Sequence, residues 1–251
     1  EEKKIKKIFS QYKIRLNIRY ISYKKNRGVS YALNKGIKNS KSQYISWLSH
    51  DDFFHPKKFE TQLNFLKSNL KFITLTGFYL VDENKNILKK MTYRKFKFMP
   101  KYQILFRDNL NLCTALFPRK IFKEIGFFDE SKKHIQDYDF MFRIFKKYKL
   151  KIINKPLFFS RVHAKQSSQV GTGEAQKEKE KFFISKLKLI NKAFDKSNIY
   201  LKIYIIFFLR TKNMNTINYE LKRLIKKQNI FFTLILKIIL LISELYLSFK
   251  K

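Results

Sequence analysis

The pattern of apolar and polar positions switches between a helical and a strand period along the first half of the chain. Residues 14–23 alternate as a strand does, and a turn rich in Asn and Gly, KKNRGVS, follows them. Residues 1–12 show the helical period instead, and their apolar positions are Ile5, Ile8, Phe9 and Tyr12. The pattern therefore predicts a helix, a strand and a turn in that order.

The same alternation continues to residue 86. A short helix is predicted after the turn, with Val29, Ala32, Leu33 and Ile37 on one face. Residues 43–49 form a compact β-prone run, and His55-Pro56 opens a second helix, since Pro suits the first helical position. The apolar stripe of that helix is predicted to be Phe59, Leu63 and Leu66. Residues 72–81 are predicted to be another strand, which the turn at 82–86 closes.

Strands that alternate with helices predict an α/β layered fold with a largely parallel sheet. In such sheets ligands gather at the carboxyl ends of the strands. Asp51 and Asp52 directly follow the strand predicted at 43–49 and precede a helix. The pair is therefore predicted to lie at the edge where this architecture builds its sites, and its hard oxygens suit a divalent cation.

The residue composition of the chain changes after residue 165. Residues 165–181 are polar, small and charged, so we place a domain boundary near residue 175, between a core at 1–175 and a helical, basic, amphipathic region at 176–251. In residues 230–248 nearly every position outside a narrow polar stripe is apolar. This pattern is compatible with a helix in a membrane interface, with a helix packed on the core or on a second subunit, and with a membrane span.

Composition narrows the functional classes. The chain has 251 residues and a net charge of +36, and the basic residues are mostly Lys, spread along its whole length. Base readout favours Arg, so specific nucleic-acid binding is not predicted, whereas attraction to an anionic membrane surface is. One cysteine, Cys113, cannot form an internal disulfide. The first residue is Glu rather than Met, so we expect the chain to begin inside a longer protein.

The motifs NRG, ALNKGI, YISWLSHDD and HPKKFE resemble, in order and spacing, the core of family 2 glycosyltransferases. A second stretch from CTALFPRK through GFFDE, QDYDF and RVH is similar to the other half of that core. The resemblance covers residues 1–170 and implies a GT-A fold, which is Rossmann-like, with a mostly parallel sheet flanked by helices. It also implies transfer of a sugar from a nucleoside-diphosphate sugar to a saccharide or lipid-linked acceptor in surface polysaccharide synthesis.

The resemblance also implies roles for individual residues. Asp52 would ligate Mg²⁺ or Mn²⁺ at the diphosphate, with His163 completing the site, and Asp51 would assist the metal or contact the ribose. Further donor contacts are implied at Asn26, Gly28, Asn34 and Arg161.

Asp137 aligns with the family's catalytic base, and the first turn of a helix favours its ionised form. Asp139 is the alternative base, and it is grouped on the acceptor side with Asn111 and Thr114. Cys113 lies in the same loop, where we expect it to pack rather than react.

Some positions depart from the family pattern. His50 and Gln136 replace acidic residues, and Leu33 replaces an arginine. The strand that ends in Asp-Asp-Gly-Ser is not found in this sequence. Two hypotheses remain. The first is an inverting transferase at the inner face of the cell membrane, for which a homo-oligomer through the C-terminal helices is one option. The second is a catalytically degenerate module that binds glycan, membrane or a protein partner.

Overall fold

The structure is a computed structural model of the chain. It describes residues 2–12, 16–67, 69, 71–93, 111–145, 147–163, 173–175, 177–178 and 181–182. These residues form a layered α/β fold, in which a mixed sheet is flanked by helices.

The sheet has six strands in the described part of the chain: β1 (Tyr44–Ile45), β2 (Phe53–Phe54), β3 (Phe72–Val81), β4 (Ile87–Met91), β5 (Ala115–Pro118) and β6 (Lys149–Arg161). Their order is β1-β5-β3-β6-β2, and β4 pairs with the second half of β3. The central strands β3 and β6 run parallel, from the Phe72–Lys149 pair to the Val81–Arg161 pair.

The helices are α1 (Glu2–Tyr12), α2 (Gly28–Asn39), α3 (Lys58–Leu66), α4 (Lys120–Ile125) and α5 (Gln136–Ile144), and a 3₁₀ turn spans Leu112–Thr114. Gly28 starts α2 with a φ of 84°, a left-handed conformation that glycine adopts at little cost. Its N–H is bound by the side chain of Asn26 at 2.9 Å. The sequence NRG therefore sets the direction in which α2 leaves the preceding turn.

The main core lies where α5 packs on the sheet. The ring of Phe140 in α5 lies 4.3 Å from that of Phe128, 5.3 Å from that of Phe122 and 5.9 Å from that of Phe117. Phe140, Met141 and Ile144 are fully buried. This packing fixes α5 against the sheet, so the first turn of α5 is held at a defined place on the sheet's edge.

The predicted α/β class and its helices are confirmed, with three corrections. The sheet is mixed rather than largely parallel, because only β3 and β6 run parallel among the described pairs. Residues 16–23 take no strand, and the run 43–49 is a strand only at Tyr44–Ile45. A strand forms only where a neighbouring strand supplies hydrogen bonds, and alternation along the sequence does not supply that neighbour.

The predicted stripe of α3 is the third correction. This helix buries Lys58, Gln62 and Leu66, whereas Phe59 is 39% exposed. The amide of Gln62 explains part of the difference, since it donates to the carbonyl of Thr114 at 3.0 Å and to the hydroxyl of Thr74 at 3.0 Å. The helix therefore faces the sheet with polar side chains that bond to it.

The predictions for the C-terminal region, residues 183–251, lie outside the described residues, as does the apolar segment at 230–248. Among the described helices none has the length and apolar character to cross a membrane.

Candidate active site

A cavity of about 1250 Å³ opens between α2, the residues that follow β1 and the first turn of α5. Asp51, Asp52 and Asp137 all line it, together with Asn111 and Cys113. The aspartate pair and the predicted base, which are far apart in the sequence, therefore face one space.

Asp52 is fixed at the end of β6. Its Oδ1 accepts a hydrogen bond from the backbone N–H of Arg161 at 2.9 Å. Burial raises the pKa of Asp52 and outweighs the opposing effects of that N–H and of a hydrogen bond from Ser160, while the charge of Asp51 raises it further. A cation in the cavity would favour the ionised form of this carboxylate.

Asp51 lies between two imidazoles. Its Oδ1 is 2.8 Å from Nε2 of His50, and its Oδ2 is 3.3 Å from Nε2 of His163. The side chain of His50 is 91% exposed, whereas that of His163 is 19% exposed. Nε2 of His163 is buried and forms no hydrogen bond of good geometry, and the carboxylate of Asp51 is the charged group beside it.

Asp137 begins α5. Burial raises the pKa of its carboxyl to about 7. The carboxyls of Asp137 and Asp52 both raise the pKa of the Cys113 thiol, which places that thiol within the electrostatic reach of both. A carboxylate with a pKa near 7 is a stronger base than an ordinary aspartate and is still substantially ionised at neutral pH.

The donor set suits a divalent cation that is shared with a bound diphosphate. Among the described residues no three His, Cys, Asp or Glu side chains are grouped so that they could hold a metal ion by themselves. Mg²⁺ sites in nucleotide enzymes commonly use one or two carboxylates and complete the shell with phosphate oxygens and water. Asp52, which lines the cavity, and Nε2 of His163, which lies beside the Asp51 carboxylate, fit such a shared site.

The predicted acceptor-side residues divide into two groups. Asn111 lines the cavity, and its Oδ1 accepts from the N–H of Cys113 at 3.0 Å. Thr114 is fully buried, and its hydroxyl donates to the carbonyl of Asn111 at 2.6 Å. Burial raises the pKa of Cys113 to about 11, so this residue is a packed thiol, as expected.

Asp139 does not line the cavity. It is buried, and it accepts a hydrogen bond from Nε of Arg143 at 2.9 Å. The other two nitrogens of that guanidinium donate to the carbonyls of Ile125 and Phe127, each at 2.8 Å. Asp139 and Arg143 thus hold α5 against the end of α4.

Two of the predicted donor contacts also bond internally. The side-chain amide of Asn34 donates to the carbonyl of Phe128 and to Glu130, both at 2.9 Å, and its oxygen accepts from the N–H of Phe128 at 2.9 Å. Asn26 binds the N–H of Gly28, as described above. These hydrogen bonds hold α2 in place. Because Val29 and Leu33 of α2 line the cavity, they also fix that wall of the cavity.

Sequence analysis missed several residues around the cavity. Ser46, Trp47 and Ser49 line it, and the buried Lys58 lies behind Ser46. The ring of Trp47 stacks on Phe117 at 5.3 Å. The signal for Lys58 was weak, because a Lys beside another Lys in a basic chain looks like part of a solvated face.

Comparison with known proteins agrees with this geometry. Residues 2–126 match the sequence model described as Glycosyl transferase family 2. The chain belongs to this family. Among its relatives, an uncharacterized glycosyltransferase of Rickettsia prowazekii is 37% identical over 160 residues, which is 61% of this chain and 50% of that protein. One of Methanocaldococcus jannaschii is 32% identical over 164 residues, which is 64% of this chain and 56% of that protein. The match thus spans about half the length of these family 2 relatives.

Solved structures show the same fold. The crystal structure of S. aureus TarS 1-349 in complex with UDP-GlcNAc matches with a TM-score of 0.55 at 15% identity, over 69% of this chain and 51% of that chain. The complex of the same protein with UDP gives a TM-score of 0.52 at 14% identity, over 81% of this chain and 65% of that chain. The GT-A-like fold that the family resemblance implied is confirmed by these matches.

Proposed function

We propose that this family 2 chain is the catalytic core of a metal-dependent, inverting glycosyltransferase that uses a nucleoside-diphosphate sugar. The observation that supports it most is the convergence of Asp51, Asp52 and Asp137 on one cavity. The TarS structures that share the fold contain UDP-GlcNAc or UDP, so a uridine nucleotide is a suitable first probe for this chain.

The protein groups have distinct tasks in this reaction. The acceptor hydroxyl oxygen attacks the anomeric carbon, and Asp137 takes the hydroxyl proton as the new glycosidic bond forms. The bond from the anomeric carbon to the phosphate oxygen breaks, and the nucleoside diphosphate leaves with the electron pair. A single attack from the face opposite to the leaving group inverts the configuration.

Asp52 and His163 would hold the cation at the leaving phosphates. A divalent ion there would offset the negative charge that develops on the diphosphate as it departs. Asp51 would assist the cation beside His163, since its Oδ2 lies 3.3 Å from Nε2 of that residue. The acceptor would approach past Asn111, and we place a saccharide or a lipid-linked saccharide there, at the inner face of the cell membrane.

The test is turnover of UDP-sugars in Mn²⁺ by the full-length protein and its variants. We expect Asp137→Asn to lower kcat by about 10²–10⁴-fold with little change in UDP affinity, because the base acts only in the chemical step. Asp52→Ala should weaken UDP binding in Mn²⁺ by about tenfold or more. In the wild type the rate should rise with pH through about 7, as Asp137 ionises.

Glu83→Gln is the control, since this residue lies in the exposed turn after β3 and should leave both measurements unchanged. Transfer that survives both aspartate substitutions would overturn the site assignment. Tight UDP binding by a wild type that performs no turnover would favour the alternative, a transferase-like binding module.

A further inference from the structure

Lys58 is a buried amine whose contacts in the described part of the chain include no carboxylate. It starts α3 and has no exposed surface. Its Nζ lies 3.1 Å from the hydroxyl of Ser46 and 3.3 Å from the carbonyl of Ala115. The rings of Phe54 and Phe59 flank it, with centroids 4.4 Å and 4.6 Å from Nζ.

These contacts join three parts of the molecule. Ser46 lies between β1 and the aspartate pair, and it lines the cavity. Ala115 starts β5, directly after the turn that holds Asn111 and Cys113. The hydroxyl of Ser46 also donates to the carbonyl of Ala115 at 2.8 Å. The amine of Lys58 therefore closes a small network that links the two sides of the cavity.

A structural role alone does not explain a lysine at this place. Burial opposes its charge and lowers the pKa of Lys58 to about 7, while the charge of the Cys113 side chain, the titratable group that faces it, acts in the opposite direction. A methionine of similar length would fill the same volume without a charge to desolvate. Residues that serve a site are commonly kept at such a cost to stability.

We propose that Lys58 is a positioning residue for the cavity, which holds the segment bearing Asp51 and Asp52 at a fixed distance from the turn bearing Asn111 and Cys113. It acts through Ser46 and Ala115 and does not touch the substrates. The proposal rests on the proposed transferase function for its effect on turnover, whereas its effect on the structure can be measured separately.

The test compares Lys58→Met with Lys57→Met in the full chain, because Lys57 is the exposed neighbour and carries the same charge. Two structural readouts are used: the urea midpoint at pH 6 and pH 9, and the rate at which iodoacetamide alkylates Cys113, the one cysteine of the chain. We expect Lys58→Met to raise the urea midpoint, by more at pH 6 than at pH 9, since the buried charge is fully present only at the lower pH.

The same variant should alkylate about tenfold faster at Cys113, because the two sides of the cavity separate more often. Loss of the nearby amine would by itself disfavour the thiolate and slow alkylation, so a faster reaction reports opening. A Lys58→Met protein with a lower urea midpoint at both pH values, or with unchanged alkylation, would overturn the proposal. Lys57→Met should match the wild type in both readouts.

Turnover supplies the link to the proposed function. With UDP-sugar and Mn²⁺, Lys58→Met should lower kcat about tenfold and leave the Kd for UDP within about twofold of the wild type. Ser46→Ala should have a similar effect, and the double variant should be no worse than Lys58→Met alone, since both changes break one network. A wild type that binds no UDP would refute the proposed function, whereas the alkylation and urea results would still decide the role of Lys58.

Discussion

At the scale of single residues, the half-buried carboxyl of Asp137 links catalysis to stability. Its pKa is raised to about 7 in the folded protein from 3.8 in the unfolded chain. Between these values the folded state binds more protons than the unfolded state, so the free energy of unfolding falls as pH rises from about 4 to 7. Above pH 7 the full cost of the buried charge is present.

Asp137→Asn removes this cost, because the amide stays neutral. We expect the variant to gain about 4 kcal/mol over the wild type at pH 8 relative to the difference at pH 4. Urea unfolding at the two pH values measures it. A variant whose stability follows the wild type in parallel across this range would show that the carboxyl is not buried in a charged state.

At the scale of secondary structure elements, α5 depends on Arg143. This side chain bonds to Asp139 within the helix and to the carbonyls of Ile125 and Phe127 outside it. Gly126, between those carbonyls, has a φ of 86°, so the loop turns back sharply towards the guanidinium. The first turn of α5, and Asp137 with it, is held in place by these bonds.

Arg143→Met should therefore lower the free energy of unfolding by about 2–4 kcal/mol, because it leaves the buried Asp139 without its cation. Lys147→Met, at an exposed position just beyond the helix, should change it by less than about 0.5 kcal/mol. Equal unfolding midpoints for the two variants would contradict the role assigned to Arg143.

The same elements show what sequence patterns can predict here. Strand β3 was predicted with its observed limits, since ten consecutive β-prone residues between turns leave few alternatives. Helix α3 was predicted in place and with Leu66 on its buried face, but Phe59 is exposed because the inward side also bonds to the sheet through Lys58 and Gln62. Residues 16–23 alternate without forming a strand, since pairing depends on a neighbour that periodicity does not reveal.

The candidate site was also predictable only in part. The family resemblance implied that Asp52 and Asp137 share one site, and both line the same cavity, while their roles stay predictions. The resemblance did not reveal that Asp139 is hydrogen-bonded to Arg143. Nor did it reveal that Asn34 is hydrogen-bonded to the backbone of Phe128. Such bonds join positions whose distance in space is set by the packing of α5 and α2, which no local pattern records.

At the scale of the whole molecule, the net charge of +36 causes non-specific binding of anions, which is distinct from the binding of substrate in the cavity. A polycation attracts any polyanion, and that attraction weakens steeply with salt because counterion release drives it. A diphosphate held by a metal ion and a few fixed groups carries little charge and is screened much less. Both kinds of binding are therefore expected, with different salt dependence.

We expect the protein to bind duplex DNA of any sequence in the micromolar range at 50 mM salt and to lose about 10³-fold or more in affinity at 200 mM. The affinity for UDP in Mn²⁺ should change by less than about threefold over the same range. Titrations of a labelled duplex and of UDP at both salt concentrations measure the two slopes. Sequence-selective DNA binding that persists at 200 mM salt would indicate that the positive charge serves a specific nucleic-acid partner. A UDP affinity that falls in parallel with the DNA affinity would contradict the proposed nucleotide site.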